Sequence, residues 1–143
     1  MRQLLEVNVW VALLDEAHAF HAQALAFMQR RKLKIATCAL VENAVIRVLN
    51  LPGCSRLGPE GFDVVSQKLN QICAGADHEF WPGTVSLRTP GVVHWPRVLG
   101  HHQIADVYLL ALAVANQGCL ATLDHRVALS TVAAAGSQLL LLL

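Results

Sequence analysis

Apolar residues fall along this chain in two rhythms, short unbroken runs and longer stretches with a helical repeat, and the two alternate. Leu4 to Asn8 is a short run that opens the chain, so it predicts a buried strand, with a helix from Val9 to Leu14 behind it. His18 to Arg31 predicts a second helix, because Ala, Leu, Phe and Met recur there at helical spacing, and Ile35 to Thr37 a short strand. Ala39 to Leu49 is helical by period and is closed by the breaker Asn50-Leu51-Pro52-Gly53. Pro59 to Ala74 predicts a helix with proline in its first turn. His78 to Trp81 and Val85 to Leu87 read as strand or irregular, and Pro90 to Gly100 as a loop around a short strand. Gln103 to Asn116 is apolar on nearly every side, which means burial, and Gly118 stands where a helix often stops. Cys119 to Thr122 reads as a central strand and Gln138 to Leu142 as a last one.

Strands alternating with helices at this spacing predict an α/β layer fold with a mainly parallel sheet, and 143 residues suit one domain spanning 1–143. Composition adds an expectation of assembly. With 55% hydrophobic and only 15% charged residues, the chain has more apolar surface than an average globular domain, enough to include a subunit interface. A net charge of +1 excludes the strongly basic signature of a protein that coats nucleic acid nonspecifically, and the run Arg30, Arg31, Lys32, Lys34 reads as a solvated helix end. Four cysteines without a C-x-x-C pair, and no secretory signal, point to a reduced cytoplasmic setting. The apolar runs fall short of the roughly 18 to 20 residues a membrane span needs, and no histidine pair has a zinc-site partner.

Four carboxylates change the picture, because they sit in the most apolar stretches: Glu6, Glu42, Asp106 and Asp124. A charge drawn into low dielectric costs several kcal/mol, as an order of magnitude, unless a cation or hydrogen bonds compensate it. Glu6 and Asn8 fall at the end of the first strand, and Thr122 and Asp124 at the end of a later one. Glu42 and Asp106 fall in the opening turns of helices, so all four can reach one crevice at the carboxyl ends of the strands. Such an acidic set suits Mg²⁺ or Mn²⁺, which prefer oxygen ligands and can activate water against a phosphodiester. Two classes that also gather acids fit poorly. A phosphoacceptor needs a late lysine, yet the only lysines are Lys32, Lys34 and Lys68, and an Asp-nucleophile phosphatase needs D-x-D where this chain has E-V-N.

Five segments together resemble the PIN-domain ribonucleases, specifically the VapC-type toxins of bacterial toxin–antitoxin pairs. They are L-L-E-V-N-V-W-V-A-L-L-D at Leu4 to Asp15, A-T-C-A-L-V-E-N-A-V-I-R-V-L at Ala36 to Leu49, H-E-F-W-P at His78 to Pro82, I-A-D-V-Y-L-L-A-L-A at Ile104 to Ala113 and L-A-T-L-D at Leu120 to Asp124. The resemblance covers almost the whole chain with its motifs in order. It implies a three-layer α/β/α sandwich, Mg²⁺- or Mn²⁺-dependent cleavage of RNA, a homodimer and inhibition by a cognate antitoxin protein. It assigns Glu6, Glu42, Asp106 and Asp124 as catalytic metal ligands and Asn8 and Thr122 as their supports. Arg47 and Arg126, close in sequence to the acids, are the candidates for meeting RNA phosphates.

The chain departs from the family at one point: members usually carry Asp at the first acidic position, and this chain has Glu6. One more methylene lengthens the side chain by roughly 1.5 Å, where a misplacement of about 1 Å can cost on the order of a hundredfold in rate. Two readings therefore stand side by side. One is an active ribonuclease toxin; the other is a catalytically weak PIN-like module that binds RNA or antitoxin.

Overall fold

The computed structural model describes residues 1–143, and its five strands form one sheet in which every pairing is parallel. The strands are β1 (Gln3–Leu5), β2 (Lys34–Thr37), β3 (Asp77–Phe80), β4 (Cys119–Thr122) and β5 (Leu140–Leu142), and the helices are α1 (Val7–Leu14), α2 (His21–Met28), α3 (Ala39–Val48), α4 (Phe62–Ala74) and α5 (Ile104–Ala115). The spatial order β3-β2-β1-β4-β5 records how the chain winds. It steps outward from β1 to β3, then returns to lay β4 against the other side of β1. Right-handed crossovers turn that reversal into helices on opposite faces. Helix α1 packs on both α2 and α3, and α3 on α4, while α5 packs on β4 and β1. The result is the three-layer α/β/α sandwich expected of a PIN-like fold.

The reversal matters for function, because a doubly wound sheet opens a crevice where its strand order switches. Here the switch lies between the carboxyl ends of β1 and β4, which carry Glu6 and Thr122. Both strands are short and buried at Leu4, Leu5, Leu120 and Ala121, and α5 supplies Leu109 to Ala113 to the same core. Burying such side chains contributes roughly 1.5–3 kcal/mol each, so the crevice sits on a rigid base.

Several element boundaries differ from the expectations, each for a local reason. The first strand ends at Leu5, and Asn8 lies in the first turn of α1, which starts at Val7 rather than Val9. The second helix is shorter, His21–Met28. Pro59 lies outside α4, which begins at Phe62 after Gly61 turns the chain with φ 97°. Val85 to Leu87 forms no strand, and the strand expected within Pro90 to Gly100 shrinks to a single antiparallel bridge, Val93 with Val132. At the end of α5 it is Gln117, not Gly118, that adopts the left-handed conformation (φ 53°). Gln117 N–H donates to Val114 O and Gly118 N–H to Ala113 O, the paired bonds of a Schellman stop. Gly118 is required for another reason: a Cβ there would lie 2.3 Å from the Trp81 ring and 2.7 Å from Arg2 O.

Asp15 closes the other end of α1. Its buried carboxylate accepts from Ala17 N–H and from Ser55 Oγ, tying the loop before α4 to the first helix.

Candidate active site

Three of the four acids come close enough at the switch point for their charges to act on one another. Glu6 caps β1 and precedes α1, Asp106 lies in the first turn of α5, and Asp124 follows β4 by two residues. Burial holds the Glu6 carboxyl high, at about 7, and the charges of Asp106 and Asp124 push in the same direction against hydrogen bonds from Thr122 and Asn8. Burial also raises Asp106, with the Asp124 charge adding to it. Asp124 moves the other way, because Arg126 donates to it and holds its carboxyl below the usual range.

The supports for Glu6 are specific. Thr122, fully buried as the last residue of β4, donates its hydroxyl to Glu6 Oε2. Asn8 Nδ2 donates to the same oxygen at 2.9 Å and to Thr122 Oγ1 at 3.0 Å, while its Oδ1 accepts from Leu123 N–H. Asp124 N–H donates to Thr122 Oγ1 at 2.8 Å. One turn of helix and one strand end are thereby stitched together around a single carboxylate oxygen, Glu6 Oε2, at the end of the longer side chain.

Glu42 stands elsewhere. It is not among the charges that shift Glu6, Asp106 or Asp124. Its Oε1 accepts from Thr37 Oγ1 at 2.7 Å, and it lines a cleft of about 450 Å³ with Ser66, Asn70, Cys73 and His78, between α3, α4 and β3. The helical register of α3 presents Glu42 to this cleft on the α4 side. Its charge is felt there, adding to the burial that raises the thiols of Cys38 and Cys73. Thr37 and His78 are site residues that the sequence reading left without a role. Thr37 is fully buried at the end of β2, and its hydroxyl lies 2.8 Å from His78 Nε2. Burial holds the His78 imidazole below its ordinary value.

The two candidate arginines separate. Arg126 forks onto Asp124, with Nε and Nη2 both donating, and its side chain is 87% exposed. Arg47 projects from the exposed side of α3 and pairs with no acid.

No three His, Cys, Asp or Glu side chains converge on one point from which they would ligate an ion. Asp124 is turned to Arg126, and Glu42 to Thr37. The donor chemistry nonetheless suits a hard divalent cation, since Glu6 and Asp106 are partly buried carboxylates raised by burial and by their neighbours' charge. Such an ion needs only one or two direct carboxylates when it keeps its waters.

The chain is similar over nearly its full length to ribonucleases of Mycobacterium tuberculosis. It is 37% identical to ribonuclease VapC44 over 139 residues, 96% of each chain. It is 34% identical to ribonuclease VapC29 over 128 residues, 90% of each, and 31% identical to ribonuclease VapC39 over 137 residues, 95% of this chain and 96% of that one. No protein-family model matches the chain.

Proposed function

Because this chain belongs to the VapC-type PIN-domain ribonucleases, we propose that it is a Mg²⁺- or Mn²⁺-dependent endoribonuclease, the toxin of a cytoplasmic toxin–antitoxin pair. One observation carries the reading: Glu6, Asp106 and Asp124, from three separate segments, lie within electrostatic reach of one another at the topological switch point.

Glu6, Asp106, Asp124 and Glu42 would hold the ion, one or two of them directly and the others through its waters. When bound, the ion supplies Lewis acidity to the scissile phosphate and lowers the pKa of water. The chain's own residues do the positioning. Thr122 and Asn8 fix the Glu6 head group, and Thr122 also takes Asp124 N–H, so both strand ends move as a unit. Arg126 covers Asp124 in the free protein and is exposed enough to swing to an RNA phosphate, exchanging one anion for another.

Exposed Leu40 and Ile104 line an apolar groove with Leu87 and Tyr108 beside the opening turns of α3 and α5. The groove supports the proposal that the chain is a homodimer. Exposed Leu57 and Phe62, by the start of α4, offer apolar surface to an antitoxin protein. No helix is long and apolar enough to cross a membrane.

A catalytically weak binding module remains the second reading, favoured by one observation: Glu6 Oε2 is already engaged by both Thr122 and Asn8. Digestion of RNA with Mg²⁺, with Mn²⁺ and with EDTA tests the first reading. Cleavage with either ion and none with EDTA is expected. A silent wild type beside an active Glu6→Asp variant would establish the second.

A further inference from the structure

We infer that Thr37 and His78 form a positioning pair for Glu42, a hydrogen-bonded chain running His78 Nε2–H to Thr37 Oγ1 and Thr37 Oγ1–H to Glu42 Oε1. The inference rests on the nuclease reading for its consequence in catalysis, and on geometry for its existence. The direction of the chain follows from proton count. The single hydroxyl proton of Thr37 is donated to Glu42 Oε1 at 2.7 Å. Thr37 is fully buried and out of reach of water. Its 2.8 Å contact with the imidazole is then a hydrogen bond only if His78 Nε2 carries the proton.

The sheet register builds this arrangement. His78 stands opposite Ile35 in the β2–β3 pairing, and Thr37, two residues beyond Ile35, projects from the same face. The imidazole therefore reaches one pleat forward to the strand end, where α3 brings Glu42 down. With Oε1 tied to Thr37, no hydrogen bond occupies Oε2, and this oxygen is left free for work. The arrangement repeats the one around Glu6: a fully buried threonine closing its strand, a carboxylate it donates to, and a third side chain, Asn8 there and His78 here, that donates to the threonine.

Removing partners that orient an ion's ligands lowers activity by about 10- to 100-fold. His78→Leu and Thr37→Val are each expected to lose kcat by that factor with KM unchanged. His78→Gln, whose side-chain amide donates at similar reach, and Thr37→Ser are expected to restore it. A loss in His78→Gln equal to that in His78→Leu would overturn the inference, as would a His78→Leu variant that cleaves like wild type. A second measurement does not depend on cleavage. Nitrogen-15 spectra of the histidine-labelled protein at pH 8, with the His78 signals identified from His78→Gln, are expected to show the Nε2–H tautomer, lost to a mixture in Thr37→Val. An Nδ1–H tautomer in the wild type would overturn the chain itself. A wild type that cuts no RNA with either ion while His78 holds the Nε2–H form would instead refute the nuclease reading and support the hydrogen-bonded chain.

Discussion

Two strand-ending threonines, Thr122 on β4 and Thr37 on β2, are both fully buried and each donates to a carboxylate, yet the two carboxylates sit in different electrical surroundings. Glu6 faces Asp106 and Asp124, and its carboxyl is held at about 7 despite hydrogen bonds from Thr122 and Asn8. Glu42 faces His78 and the Cys73 thiol across a neighbouring cleft, and its charge adds to the burial that raises that thiol. Neutral donors orient a carboxylate in both places. They do not cancel the combined cost of desolvation and two nearby anions, and that residue of unfavourable energy is what a cation would relieve.

The sharpest way to break the comparison is to remove each threonine. Thr122→Val strips partners from Glu6, Asn8 and Asp124 N–H together, so RNA cleavage should fall by on the order of a hundredfold and stability by about 1–3 kcal/mol. Thr37→Val strips only Glu42 and His78 and should cost less in both. Equal losses at the two threonines in cleavage rate and melting temperature would mean that the units are interchangeable, against this account.

A smaller effect appears in the pH dependence of stability. Glu6 releases its proton near 7 in the fold and near 4.5 in the unfolded chain, so the folded state binds more protons between those values. Its contribution is fully present below about 4.5 and is lost as pH rises through 7, by on the order of 3 kcal/mol. Denaturant titrations from pH 4.5 to 8 should show that decline in the wild type and a flatter profile in Glu6→Gln. Asp124 has the opposite sign, because Arg126 lowers its pKa from 3.8, and its contribution is lost only as pH falls through the lowered value. A profile that rises from pH 4.5 to 8 would contradict the crowding at Glu6.

The smallest expected effect belongs to Arg126. Replacing it with Ala should lower the salt slope of RNA binding by about 1, as for one lost phosphate contact. Arg47→Ala, at a position exposed on α3 and paired with no acid, should leave the slope unchanged. Binding titrations across salt concentrations distinguish the two arginines.

Much of this was legible in the residues. The alternation of apolar runs and helical repeats located five helices and four of the strands, while His78 to Trp81 stayed open as strand or irregular because β3, Asp77–Phe80, is polar and largely exposed and leaves no apolar run. Asn8 and Thr122 were readable as supports only through the family resemblance, which implies that role for them. Helix ends were less readable: Gln117 takes the left-handed position beside a glycine needed for close packing with Trp81, and nothing local distinguishes those roles. Thr37 and His78 stayed silent because their partnership depends on β2–β3 register, a tertiary fact. The one signal available was a strand-ending threonine with an acid five residues on. The surroundings of Glu42 were unreadable for a related reason. Helical spacing shows which residues share a face, and it takes the packed neighbours α4 and β3 to show what that face looks into.

The central claim is that Asp106 belongs to a cluster whose charge serves cleavage and opposes folding. RNA cleavage and melting temperature of Asp106→Asn, measured side by side in Mg²⁺ and in EDTA, test it most directly. Cleavage should be lost, by on the order of a thousandfold or more, while the melting temperature in EDTA stays level or rises because one desolvated, repelled charge has gone. Intact cleavage together with a clear fall in melting temperature would contradict the account.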